Sequence, residues 1–212
     1  MQVELKDLMV DVEIILKNNK NIYFRCKDNK LVVTCNKYIS KKYLLELIKK
    51  NEDSLYKIFL HNNKEIENDR YFNYLGEKYV IVYDNESKIP KFTDDMVIVK
   101  DKKVLDKFYQ KECARIFENE VNRISSYFNN IPKFSLKIRK MKTRWGVNNV
   151  TKNIITLNSE LLKKKPHLLD YVIIHELCHF YEANHSKEFW NHVSEFYPEY
   201  KKARKELREV WK

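Results

Sequence analysis

The sequence predicts an α+β fold, strand-rich in its first half and helical in its second. Three observations predict it. Apolar residues alternate in the first forty positions, helical spacing dominates after residue 101, and two glycines and four prolines among 212 residues leave little room for linkers. The expected division is an accessory α+β region over 1–100 and a chemistry-bearing domain over 101–212. With 43% hydrophobic and 13% aromatic residues, such a chain can bury its own core.

Taken in order, Val10 to Ile14 and Ile22 to Cys26 alternate as strands, and Asp28-Asn29-Lys30 turns into a third at Leu31 to Cys35. Ser40 is placed to cap one helix running through Leu44, Leu45, Ile48, Leu55 and Phe59. Tyr74-Leu75-Gly76-Glu77 reads as a tight turn between strands. Helical spacing then runs from Asp101 to Phe128, followed by strands at Phe134 to Ile138 and Ile154 to Leu157. Pro166 can open a helix whose stripe of Leu169, Ile173, Ile174, Leu177 and Tyr181 lies opposite His175 and His179. Ser186 caps the next helix, in which Phe189 and Trp190 pack behind its predecessor, and Pro198 ends it. Tyr200, Ala203, Leu207 and Val210 mark the last helix, with its lysines and arginines facing water.

The chemistry concentrates in His175-Glu176-Leu177-Cys178-His179, with His185 six residues on. Residues four apart on a helix sit about one turn from each other, so His175 and His179 can grip one cation from the same face. Glu176, rotated by roughly 100°, can act as general base without entering the coordination shell. His185 follows far enough for the chain to turn back and supply a third imidazole, leaving a fourth position open, as catalytic zinc sites do. Glu195, Glu199 and His192 are the alternative third ligands. Cys178 is expected to be a small buried residue.

Cys26, Cys35, Cys113 and Cys178 are scattered and form no C-x-x-C pair, which fits reduced thiols. No apolar run approaches membrane-spanning length, and Met1 to Lys6 lacks the pattern of a signal peptide, so a cytoplasmic protein with no membrane partner is expected. The net charge of +11 is partly compositional bias toward lysine and asparagine. Lys133 to Arg144 nevertheless holds six basic and no acidic residues, and Lys163-Lys164-Lys165 precedes the histidine helix. A positive cleft would favour acidic or phosphorylated substrates, or nearby nucleic acid.

Met141-Lys142-Thr143-Arg144-Trp145-Gly146, Ile155-Thr156-Leu157-Asn158, Asp170 through His179, and Asn184 through Trp190 resemble, in order and spacing, the YgjP-like metal-dependent hydrolases, relatives of the SprT-like metallopeptidases. The Ile22 to Cys35 hairpin and Tyr74-Leu75-Gly76 are similar too. The resemblance implies a zincin-like catalytic domain whose helix bears His175, Glu176 and His179, with His185 as third ligand. The sequence departs from the family where Arg-Trp-Gly usually continues with Ser-Cys, for Val147-Asn148 stands there instead. Arg144 is a candidate for substrate or transition-state contact, since a guanidinium offers several donors in a fixed fork.

The expected function is therefore a zinc-dependent hydrolase, a metallopeptidase by resemblance, with Zn2+ as cofactor and polypeptide as substrate. Two alternatives stay open. The same site could hydrolyse a nucleotide phosphoanhydride beside a basic surface, or zinc could stabilise a non-catalytic module that binds nucleic acid or protein. Glu176 argues against the module, because a structural site needs no base.

Overall fold

Residues 1–70 and 71–212 form two units in the computed structural model, which describes residues 1–209, with the side chains of 63–69 outside the description. Val210, expected on the last helical stripe, lies outside the described residues.

The first unit is a four-stranded sheet with two helices. Strands β1 (Gln2–Leu5), β2 (Leu8–Leu16), β3 (Tyr23–Lys27) and β4 (Lys30–Cys35) are ordered β1-β2-β4-β3, with β2 and β4 parallel and the outer pairs antiparallel. Asp28 and Asn29 turn between β3 and β4 at φ 50° and 58°, a left-handed conformation that these side chains tolerate. The register pairs Cys26 with Leu31, so Cys26 does not face Cys35 across the hairpin. Leu31, Val33 and Cys35 alternate inward against Leu44, Ile48, Leu55 and Phe59.

Where one helix was expected there are two, α1 (Lys41–Lys50) and α2 (Glu52–Arg70). Ser40 Oγ caps the first, accepting from the Tyr43 N–H at 3.2 Å. Asn51 makes the break. Its side chain and backbone N–H both donate to the Leu47 carbonyl, and its own carbonyl accepts from Ser54 and Leu55, so it ends α1 and starts α2.

The second unit opens with a sheet ordered β5-β6-β8-β7, made from β5 (Tyr71–Tyr74), β6 (Glu77–Tyr83), β7 (Lys91–Phe92) and β8 (Met96–Val99). Phe72, Val97 and Val99 share a core with Leu105 of α3 (Lys102–Ser125), capped by Asp101. That burial groups residues 71–100 with the second unit rather than with the region before them. A second sheet, β10 (Gly146–Asn149), β11 (Ile154–Asn158) and β9 (Ser135–Arg139) in that order, pairs β11 parallel to β9 and antiparallel to β10.

Three helices complete the unit: α4 (Pro166–Cys178), α5 (Lys187–Phe196) and α6 (Tyr200–Glu209). Cys178 is buried as expected, but beyond the single stripe that the sequence reading gives α4, Leu168, Tyr171, Val172 and Glu176 are buried as well. The reason is that α3, α5, α6 and strands β10 and β11 all pack against it. A helix surrounded in this way is held rigidly, which suits the placement of side chains at its C-terminal end. Among the described residues, no helix is long and apolar enough to cross a membrane.

Candidate metal centre

His175 occupies the last turn of α4, and His179 is the residue that caps it. The chain then reverses, and the Asn184 side chain accepts from the Ser186 N–H at 2.9 Å while Ser186 Oγ caps α5. His185 is held between those two turns. One ring nitrogen from each of His175, His179 and His185 lies within 4.8 Å of the others, and the Nε2 atoms of His175 and His185 are 3.1 Å apart.

Protonation favours ligation. His179 Nδ1 donates to the Glu182 carbonyl at 3.0 Å, since a carbonyl only accepts, and this leaves its Nε2 lone pair free. Burial, then the neighbouring His179, His185 and Arg204, pushes His175 down to about 3. Burial lowers His179 and His185 in the same sense. All three rings are therefore neutral near pH 7. His175 Nδ1 is buried with no hydrogen-bond partner among the described residues.

Phe189 was expected merely to pack behind the helix, but its buried ring lies 4.6–4.9 Å, centroid to centroid, from all three imidazoles. Trp190 stacks on His185 at 5.7 Å and on Tyr200 at 5.2 Å, and the Arg204 guanidinium sits 4.6 Å from its ring. A wall of aromatic rings thus fixes the orientation of the cluster.

Glu176 is 4% exposed, and burial pushes its carboxyl up to about 8. The backbone N–H of Asn148 and the charge of Arg144 oppose that shift. The side chain lies against Gly146, where an added methyl would come within 2.5 Å of Oε1. Asn148 Nδ2 donates to the Glu176 carbonyl at 2.7 Å, satisfying an acceptor in the last turn of α4. Strand β10 therefore braces the glutamate from two positions. Its Gly-Val-Asn-Asn sequence has no apolar alternation by which it could be found beforehand.

A cavity of about 540 Å³ opens beside His175 and Glu176, and Arg144 lines it. Arg204 and Arg208 of α6 line it as well. Both are exposed, as the sequence reading has them, and they stand at the edge of the cavity because α6 packs against α4. The alternative third ligands lie elsewhere. His192 packs on Tyr181 at 5.1 Å, Glu199 pairs with Lys202 at 2.6 Å, and Glu195 lines a separate cavity with Arg123 and Phe128. Among the described residues, none of them joins the histidine cluster. The basic segments are partly neutralised, since Lys140 and Lys163 both pair with Glu160.

Residues 20–210 match the family described as YgjP-like, metallopeptidase domain. No curated protein matches the chain. Among solved structures, the metallopeptidase zymogen of Methanocaldococcus jannaschii jannalysin is 23% identical, with 44% of this chain and 95% of that one covered and a TM-score of 0.40. The metallopeptidase zymogen of Pyrococcus abyssi abylysin is 21% identical over 44% and 93%, with a TM-score of 0.41. Likenesses of that size say nothing about the chemistry of this chain.

Proposed function

The chain belongs to the YgjP-like metallopeptidase family, and from that premise we propose that it is a zinc peptidase in which His175, His179 and His185 hold the ion and Glu176 is the general base. The observation that carries the reading is the convergence of three neutral imidazoles within 4.8 Å beside a buried carboxyl.

The donor set fits zinc. Four-coordinate zinc with bonds of about 2.0–2.1 Å to nitrogen sets neighbouring ligand atoms roughly 3.3 Å apart, and the His175–His185 separation is 3.1 Å. A cation there also opposes the upward shift of Glu176, so that base and ligands are matched. When bound, zinc supplies a Lewis acid for the scissile carbonyl and acidifies water at the site.

The side chains do the rest. Glu176 accepts a proton from the attacking water and returns it to the departing amine. Gly146 and Asn148 hold that glutamate in place, and Arg144 offers donors to the carbonyl oxygen as charge develops on it. The four cysteines are free thiols, which supports a reducing, cytoplasmic setting.

The test is chelation followed by restoration. An unfolded polypeptide substrate should be cleaved by the zinc-loaded protein, left intact after the metal is removed, and cleaved again when one equivalent of zinc is returned. Cleavage that persists after complete removal would exclude the reading.

A further inference from the structure

We propose that the cavity beside the histidine cluster is a carboxylate-binding subsite, so that the protein acts on polypeptides carrying an acidic group close to the scissile bond. The inference rests on the peptidase reading and adds a substrate class to it.

Arg144, from the segment before β10, and Arg204 and Arg208, one turn apart on α6, line the cavity as exposed side chains. Among the described residues, the one acidic residue in the lining is Glu176, which is almost wholly buried and whose carboxyl is committed to the base role. With Arg144 assigned to the scissile carbonyl, Arg204 and Arg208 remain, and the described lining offers them no carboxyl besides Glu176, so the imbalance calls for an anion from outside.

The geometry suits a carboxylate on a short stem. Trp145, Tyr171, Val172 and Leu207 give the cavity apolar walls for methylene groups, and the arginines supply forked donors for the oxygens. Arg204 is already oriented, with its guanidinium 4.6 Å from the Trp190 ring, and Trp190 is itself stacked on Tyr200 and His185. A donor held in place beforehand loses less freedom on binding. A volume of about 540 Å³ admits one or two residues of a peptide.

The carboxylate could be an acidic side chain or the C-terminus of a peptide, and the experiment separates them. Zinc-loaded Glu176→Gln protein, which binds without turnover, is titrated with four fluorescent peptides of one length. They are a glutamate peptide with an amidated end, a neutral peptide with a free carboxylate, a neutral amidated peptide and a lysine peptide with an amidated end. One of the first two should bind at least about 10-fold more tightly than the neutral amidated peptide, and which one does so identifies the source. In the background of Arg204→Glu with Arg208→Glu the order should reverse toward the lysine peptide. Should that protein not fold, Arg204→Gln and Arg208→Gln separately should each reduce the preference by about 3-fold or more.

Equal binding of all four peptides overturns the proposal, as does a preference that survives the arginine changes. Tight binding of a nucleoside triphosphate with no preference among the peptides also overturns it. Failure of the peptidase reading looks different, because wild-type protein would then cleave none of the peptides whichever of them it bound.

Discussion

Gly146 and Glu176 are in such close contact that the glutamate carboxyl occupies the space a side chain at position 146 would need, with Oε1 2.5 Å and Cγ 2.7 Å from the site of a methyl group. Gly146→Ala must therefore displace the base, while the imidazole cluster is expected to keep its place, since the three atoms nearest the added methyl all belong to Glu176. Peptide hydrolysis is expected to fall by roughly 10-fold or more with zinc content unchanged, because misplacing a catalytic group by about 1 Å is costly. Kinetics and metal analysis on the same preparation check this, and wild-type turnover in Gly146→Ala would contradict it.

Asn148 ties β10 to α4 through its bond to the Glu176 carbonyl. Asn148→Ala leaves that acceptor without its partner inside the protein, at an expected cost of about 1–3 kcal/mol in stability. Urea unfolding of the metal-free protein measures the loss, and an unchanged midpoint would mean that the bond contributes nothing.

The assignment of the third ligand predicts a clear contrast. His185→Ala should release zinc, while His192→Ala, Glu195→Ala and Glu199→Ala should retain about one ion per chain. A chromophoric chelator titration distinguishes them. Zinc kept by His185→Ala and lost by either glutamate variant would transfer the role.

Burial moves Glu176 and His175 in opposite senses, and the metal-free protein should register both. On folding, the Glu176 carboxyl rises from 4.5 to about 8. Between those values the folded state holds a proton that the unfolded chain has lost, so stability falls as pH rises through this window. His175 drops from 6.5 to about 3. Between those values the unfolded chain binds the extra proton, so this contribution is lost as pH falls. Glu176→Gln should remove the alkaline loss alone. Urea midpoints in chelator at pH 5 and pH 8 test it, and a wild type that does not weaken relative to Glu176→Gln between the two contradicts it.

Much of the fold was legible because its signals are local. The caps at Ser40 and Ser186, the turns at Asp28-Asn29 and Leu75-Gly76, and Pro166 at the start of α4 each act within a few residues. The histidine cluster was legible for the same reason, since two of its members share a helix and the third follows a short turn. The unread features depend on contacts distant in sequence. Asn51 divides a helix whose apolar spacing continues across it, β10 is made strand by pairing with β11, and α4 is buried all round by elements on both sides of it. Arg204 and Arg208 reach the cavity because α6 packs against α4, which no pattern within α6 records.

The proposed chemistry depends above all on Glu176 acting as a base that does not hold the metal. The deciding measurement is turnover of an unfolded polypeptide by Glu176→Gln, with bound zinc quantified in the same sample. The expected result is one zinc per chain and a rate at least about 10²-fold below wild type. Turnover within a few-fold of wild type at full zinc occupancy would contradict it.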